Sequence, residues 1–515
     1  MTLSVAITLI ETPLALLRSK TGEAVNACRT NYPKIPQLII AGLLRARLPE
    51  LRIFPQIRVI DMKGRDPKKT EAYGEVCYGD LPLDKLRIGM SFAEVRDDLV
   101  DSDIVGLTAN FTQEANVIAD LIRYAKSVSA AKVIVGGSDA IARPRHYLSA
   151  GADVVILGEG ESIGPKLIAA LLNKDDLRTV DGIAYAIDGS LQKQGQSTLQ
   201  VSMDEIDFPA LDLARLDEYY EDHEGTLPAG VRPPLMYFES SRGCKMVCTF
   251  CTTPYLRKGY RAMSPARIRQ WLDHFAKFGI STILLTEDNL LSRLHYPGGR
   301  EEILEIFRIL RSGGFAWEFS CGFEVGKLAD TDGVIDHELI EAMFASTTKD
   351  GRVVGCFRSY VPLESLRTDA PRKYKKLRAW DVEKEIMRSI VDVGLPALGF
   401  GIMIGLVDDK PEDLKLTARR CDELRNICSK ANPAAIQHYQ IFNNILLPGT
   451  PNFSKHRHRT AHDIDEHPEL FNFYTSVVEG EHFAHAEFYR QRQSMMAELN
   501  GARAQRNWAE MGKYY

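Results

Sequence analysis

The chain has 515 residues, which at about 100–200 residues per domain points to roughly three domains rather than one core. Hydrophobic residues at 45% and charged residues at 26% sit at the average for globular chains and exclude disorder over most of the length. With 64 Lys and Arg against 69 Asp and Glu the net charge is −5, so no bulk basic charge favours nucleic acid, which is not expected as a partner. The nine cysteines are odd in number and dispersed, and no Lys or Arg precedes the first apolar stretch as in a secretory leader. A cytoplasmic protein with reduced thiols is expected. No stretch approaches the roughly 20 apolar residues of a spanning helix, so no membrane partner is expected.

In chain order, MTLSVAITLIETPLALL reads as a buried strand followed by a loop. From residue 4 to 172, SVAITLI, IRVIDMK, DIVGLTAN, KVIVGG and DVVILGEGE alternate with helical segments that include 113–127 and 143–150. Short Val- and Ile-rich runs of this kind predict a doubly wound, Rossmann-like parallel sheet over residues 1–172, with ligands beyond the carboxyl ends of its strands. Residues 173–232 carry Asp, Pro and Gly punctuation and one hairpin near 183–201, and read as a linker over the surface. A second alternation over 233–453 has helices expected at 264–279, 299–312, 336–346, 382–393 and 411–430. Strands are expected at LMYFESS, STILLTED, AWEFSCGFEV, VVGCFRSYVPL, ALGFGIMIGL and AAIQHYQIFNNI. Six βα steps predict a partial (β/α)6 TIM-like barrel whose active face lies at the carboxyl ends of its strands. Residues 454–515 are expected to form a C-terminal helical cap.

The sharpest local signal is SSRGCKMVCTFC, which places Cys244, Cys248 and Cys251 in a loop after a predicted strand. Three closely spaced thiolates suit a 4Fe–4S cluster with one iron left open. Zinc would ask for a fourth ligand, and none lies within the loop. Three inert structural cysteines are the remaining alternative.

The triplet resembles the signature of the radical S-adenosylmethionine (SAM) superfamily, with Phe250 as the aromatic before the last cysteine. The resemblance implies that the open iron chelates SAM and that Thr286, Glu287, Asp288 and Asn289, at the end of the second barrel strand, lie where that family contacts the SAM amine. It likewise implies that Glu364 and Ser365 in VPLES lie near the SAM ribose and amino acid. GFGIMIGLVDD, with Gly405 and Leu406, resembles the strand-5 element near adenine, and ILLPGTPNF the element closing strand 6. In VGGSDAIARP and GADVVILGEGE the N-terminal region resembles the cobalamin-binding domain of class B radical SAM methyltransferases. That implies a nucleotide tail lined by Gly136, Gly137, Ser138, Gly158, Glu159 and Gly160, and a corrin ring over Thr108, Ala109, Asn110, Phe111 and Thr112. An ordinary nucleotide- or flavin-binding domain competes, although no GxGxxG follows the first strand. The motif DxHxxG is absent, DHEG at 222–225 having the wrong spacing, so cobalamin is expected base-off without a histidine ligand.

The activity implied is C-methylation. SAM is cleaved reductively at the cluster to a 5′-deoxyadenosyl radical, which takes hydrogen from a substrate carbon, and methylcobalamin supplies the methyl group. The substrate class stays open between a small molecule or natural-product intermediate, a carrier-bound intermediate and a peptide. The electron donor is expected to be external, such as flavodoxin or ferredoxin. Alternatives are a cobalamin-dependent cyclase or ring-rearranging enzyme, polar methyl transfer through cobalamin, and a non-enzymatic corrinoid-binding protein. A tRNA methylthiotransferase is disfavoured, because only Cys28 and Cys77 are available in the first domain for a second cluster. Six histidines after residue 455 (His456, His458, His462, His467, His482 and His485) read as a solvated turn rather than a metal site, with His482 and His485 as the alternative lining of a substrate entrance. The run RTDAPRKYKKLR at 367–378 reads as a solvated loop, and Cys321, Cys356, Cys421 and Cys428 as buried free thiols.

Overall fold

The computed structural model describes residues 3–511 apart from 23–24, 26–31, 65–68, 196–199, 220–226, 258 and 371–377, with backbone only for 502–511. DHEG at 222–225, Cys28 and most of the basic run lie outside the described residues. The first half supplies β1 (Leu3–Glu11), β2 (Leu14–Ser19), β3 (Ile53–Asp61), β4 (Thr70–Tyr78), β5 (Leu81–Ile88), β6 (Ile104–Thr108), β7 (Lys132–Gly136), β8 (Val154–Ile156), β9 (Ile183–Ile187) and β10 (Ser190–Lys193). Seven of them form one sheet in the order β10-β9-β8-β7-β6-β1-β3. Strands β8, β7, β6, β1 and β3 are parallel to their neighbours in this set, and β9 and β10 add antiparallel.

The two-residue period of a strand sends alternate side chains to opposite faces. Val105, Leu107, Val133, Val135 and Val155 pack on Ile118, Leu121 and Ile122 of the helix Ala115–Val128. Ile104, Ile134 and Val154 pack on the other face with Leu44 of the helix Ile35–Arg47 and Leu167 of the helix Gly160–Asn173. Helices therefore cover both faces, and the strand order reverses between β1 and β6, the point of such sheets beyond whose strand ends ligands bind. The hairpin expected near 183–201 spans β9 and β10 and widens the sheet, so the chain read as linker enters the fold. The expected loop after β1 is instead strand β2, which joins β5 and β4 in a separate antiparallel sheet.

The second half supplies β11 (Leu235–Phe238), β12 (Ser241–Arg242), β13 (Arg261–Ala262), β14 (Thr282–Leu285), β15 (Ala316–Phe319), β16 (Ser346–Lys349), β17 (Arg352–Glu364), β18 (Ala397–Ile404) and β19 (Ile436–Asn443). Parallel strands run in the order β11-β14-β15-β17-β18-β19, with β16 antiparallel beside β17. Among the described residues β11 and β19 stay unpaired to each other, so the barrel is partial. The helices Pro265–Lys277, Gly299–Ser312, His337–Phe344, Trp380–Asp392 and Pro411–Ala431 cover its outside. The first starts where Ser264 caps Arg267 N–H ahead of Pro265, the stop-and-start chemistry of a helix N-terminus. Strand β15 is shorter than AWEFSCGFEV predicts, ending at Phe319 before a 3-10 turn at Val325–Leu328.

The C-terminal region contains the helix His485–Met511, kinked at Gly501, but 457–484 is mostly irregular rather than helical. This segment is fastened to the first half of the chain. Leu470, Phe471 and Val477 pack on Leu17, Val76 and Tyr78, and the Tyr78 hydroxyl donates to Ser476 O at 2.8 Å. The rings of His462 and His485 lie against Tyr78, and burial with neighbouring imidazoles pushes His462 down to about 4. These histidines are thus not in a solvated turn.

The barrel's outer core turns on Trp317, whose ring lies 5.3 Å from Phe307 and whose Nε1 donates to Met343 O at 3.0 Å. Phe307→Ala is expected to destabilise the protein by about 3–5 kcal/mol in urea unfolding, the cost of a large cavity among fully buried rings. A loss below about 1 kcal/mol would contradict this packing account.

Candidate active site

Beyond the carboxyl end of β11, Cys244, Cys248 and Cys251 are free, partly exposed thiols on one loop. Cys251 N–H closes a turn on Cys248 O at 3.2 Å. The Cys244 sulfur accepts from Met246 N–H and from the Asn289 amide, both at 3.4 Å, contacts that suit a thiolate. At the loop's root Gly243 has φ +86°, and a Cβ there would lie 1.8 Å from Gly259 O. Only glycine fits. Among the described residues no group of three His, Cys, Asp or Glu could hold a single metal ion. Three thiols with amide donors to sulfur fit a cluster that spreads its ligation over separate irons.

After β14 the four expected residues divide their work. Thr286 N–H donates to Phe238 O at 3.0 Å. Glu287 is buried and accepts from Ser240 N–H and Oγ at 3.2 and 2.7 Å; burial raises its carboxyl even against those donors. One of its oxygens fastens the end of β11. Asp288 accepts from Gly243 N–H at 2.8 Å, Thr253 at 3.0 Å and Arg257 at 3.2 Å, so it holds the cysteine loop. Asn289 links Cys244 to Glu324 N–H.

At the ends of the later strands, Glu364 has φ +54° beside a register shift between β17 and β18, a conformation that L residues hold only where the surroundings impose it. Ser365 is buried next to it. Gly405 turns at φ +80° against Asn443 and Asn444, and Leu406 N–H donates to Asp409 at 2.9 Å. Burial pushes Asp409 up to about 6 against the pull of Leu406 N–H and Arg367. Arg367 is nearly buried between Asp408 and Asp409, both at 3.1 Å, which corrects the solvated reading for that end of the basic run. Gly401 does not lie open, because a Cβ there would meet the Tyr360 hydroxyl at 1.8 Å. Asn443 Oδ1 and both polar ends of the Asn444 side chain are buried without a hydrogen-bond partner, unsatisfied groups facing the strand-end turn. Cys321, expected to be buried, is exposed.

From the first sheet, the loops after β6 and β7 come together. Ala109 O accepts from Asp139 N–H at 3.0 Å, and Asn110 Oδ1 from Ser138 N–H at 3.2 Å. Gly137 has φ +110°, and a Cβ there would sit 2.5 Å from Ala109 O. Thr112 donates to the buried Asp139, which Arg143 and Tyr147 also hold. Phe111 is left 57% exposed beside this glycine-bearing cradle, an apolar face that a large ring can cover. Thr108 accepts from Gln37, and Gly136 lies at the end of β7. The Gly158–Gly160 loop, expected on the nucleotide tail, also meets neighbouring elements. A Cβ on Gly160 would meet Ile40 at 2.9 Å, and Glu159 is taken by Arg261, at 3.2 Å through one nitrogen and closer through the other.

A buried chain of charges joins this loop to the cysteines. Arg242 lies 2.7 Å from Glu161, 2.6 Å from Glu239 and 3.6 Å from Glu159. Glu239 meets Arg257 at 2.7 Å, and Arg257 meets Asp288. Burial alone would depress the Arg242 guanidinium, but Glu161, Glu239 and Glu159 raise it well above its ordinary value. Glu239, Arg242, Arg257, Asn443 and Asn444 escaped the reading of the sequence. Their signals were an arginine two residues before the first cysteine and an amide pair just past a strand.

Residues 85–168 match the B12 binding domain family, and residues 238–421 match the Radical SAM superfamily. The chain is 26% identical over 323 residues to cytidylyl-2-hydroxyethylphosphonate methyltransferase of Streptomyces wedmorensis, covering 56% of this chain and 57% of that protein. An uncharacterized methyltransferase of Pyrococcus horikoshii is 24% identical over 390 residues, covering 73% and 77%. In fold, the chain superposes on the cobalamin-dependent SAM radical enzyme OxsB with a TM-score of 0.66 at 16% identity, covering 93% of this chain and 64% of that one. It thus spans less than two thirds of the Streptomyces relative and of OxsB. Among the described residues no helix is long and apolar enough to cross a membrane.

The charge chain can be tested without any ligand. Burial would raise Glu161 and Glu239, but Arg242, joined at Glu239 by Arg257, holds both carboxyls below their ordinary value. Stability from an acid with a depressed folded pKa is present above the unfolded value, about 4.3, and is lost as pH falls through the folded value. Urea unfolding should show wild type losing more stability than Glu161→Gln between about pH 4.5 and 3, the two running parallel at higher pH. Equal acid slopes would contradict the assignment.

Proposed function

The chain belongs to the radical SAM proteins that carry a B12-binding domain, and from this we propose that it is a cobalamin-dependent radical SAM methyltransferase acting on a substrate carbon. The observation that carries the reading is the joining of two cradles. The cysteine loop and the loop after β8 share the buried Arg242, so the two cofactor sites are built as one body.

Cys244, Cys248 and Cys251 would ligate the cluster. SAM would lie toward Thr286, Asp288, Glu364, Ser365, Gly405 and Leu406, with the unsatisfied Asn443 and Asn444 among its neighbours and Phe250 on the cysteine loop. The loops at Thr108–Thr112, Gly136–Ser138 and Gly158–Gly160 would hold the corrinoid, Phe111 giving it an apolar face. The bound groups supply reductive SAM cleavage and a transferable methyl, and the protein supplies their placement. Asp288 keeps Gly243 N–H and Arg257 on one carboxylate, which holds the root of the cysteine loop. Glu364 holds its strained turn beside the β17–β18 register shift. Gly449, at φ +84°, places the turn capped by Thr450 within 3.6 Å of Ala142 and 3.7 Å of Leu256, measured from where a Cβ would stand. That turn closes the space between the two halves and limits water there. An external one-electron donor, flavodoxin or ferredoxin, completes the scheme. The substrate is a small molecule or a carrier-bound or peptide-borne group.

Anaerobic reconstitution should load iron and sulfide onto wild type, and Cys244→Ala, Cys248→Ala or Cys251→Ala should each remove it. Asp288→Asn should weaken iron retention by about tenfold, as loss of a ligand-orienting contact does. Zinc in place of iron, or full iron in the Cys244→Ala protein, would overturn the reading. Growth with cobalamin should yield about one corrinoid per chain whose Co(II) EPR lacks protein imidazole splitting, and Gly137→Ala should reduce it about tenfold. Full retention by Gly137→Ala would refute the cradle.

A further inference from the structure

Resting on the two cofactor sites of that reading, we infer that Arg242 is a positioning residue that registers the cysteine loop against the corrinoid-binding half of the chain. The contacts around it form a closed ring. Arg242 binds Glu239 at 2.6 Å, Glu239 binds Arg257 at 2.7 Å, Arg257 binds Asp288 at 3.2 Å, and Asp288 accepts from Gly243 N–H, the residue next to Arg242. This ring encircles the backbone that leads into Cys244. An arm leaves it on the opposite side, where the second Arg242 nitrogen reaches Glu161 at 2.7 Å in the first turn of the helix Gly160–Asn173. A second arm runs in parallel from Arg261, across the β12–β13 ribbon, to Glu159.

A planar guanidinium fixes two carboxylates in direction as well as distance, which a single point charge does not. Arg242 is 7% exposed, so water does not substitute for either partner. Gly243 adds stiffness, since its left-handed turn lies against Gly259 O and the loop's root has no room to shift. A displacement of the helix carrying Glu161 is therefore passed toward Cys244 through Arg242. The direct consequence is a single separation between the iron cluster and the cobalt. Lysine at 242 keeps the charge and loses the fork.

The test is pulsed EPR on the full chain loaded with cluster and cobalamin and reduced to the paramagnetic cluster and Co(II). Wild type should give one narrow spin–spin coupling. Arg242→Lys and Glu161→Gln should broaden it at least about twofold while iron and cobalt contents stay at wild-type levels. Glu161→Gln keeps the shape and a hydrogen-bond acceptor, so it remains readable if lysine at 242 disturbs folding. Exchange at the exposed Arg45–Asp212 pair, as Arg45→Ala, should leave the coupling unchanged. Unchanged coupling in both Arg242→Lys and Glu161→Gln overturns the positioning role alone, whereas wild type lacking either paramagnet overturns the functional reading beneath it.

Discussion

Arg242 is a buried cation between carboxylates from the two halves of the chain, and both candidate cofactor cradles are arranged around it. Removing a guanidinium and its partners from water costs several kcal/mol per ion, recovered only where geometry is tight and further hydrogen bonds satisfy each partner. Here Glu161 and Glu239 stand at 2.7 and 2.6 Å, Arg257 is a second cation on Glu239, and Asp288 pairs with Arg257 in turn. Such a set is strongly destabilised by losing one member, so the halves are held in one docking.

The C-terminal segment secures the same docking from the other side. Glu469 is fully buried and accepts from Tyr73 and Asn116, while Lys85 lies 3.5 Å away. Arg143, which holds Asp139 behind the Gly137 cradle, also reaches Asp465 and Ile464 O at 3.0 Å. The chain after β19 thus returns over the first half and braces the loop expected to face the corrinoid. Its lack of regular structure follows from this role, since its backbone groups bond to β-sheet side chains and local turns rather than to a helix of its own.

What was legible in the sequence follows from which physics acts locally. The parallel strands and their covering helices were read because Val and Ile alternation and helix periodicity are short-range signals, and the helix Gly299–Ser312 falls within its expected bounds. The cysteine loop was read for the same reason, all three thiols lying within eight residues. Strands β2, β4 and β5 were missed because their faces are covered by residues some 400 positions later, as Tyr78 and Ser476 show. The ion pairs of Glu159 and Glu161 were not read. Their partners, Arg242 and Arg261, lie some 80 to 100 residues onward, and only the fold brings them together. Buried amides such as Asn444 are invisible to pattern reading altogether, since their meaning lies in a missing partner.

The central claim is that one space between the two halves receives both an iron cluster and a corrinoid. Anomalous diffraction at the iron and cobalt edges, from crystals of protein loaded anaerobically with both, tests it directly. The account predicts iron density joined to Cys244, Cys248 and Cys251 and one cobalt peak over the loops after β6 and β7, on the side facing that iron. Zinc at the cysteines, or cobalt absent from that space, would contradict it.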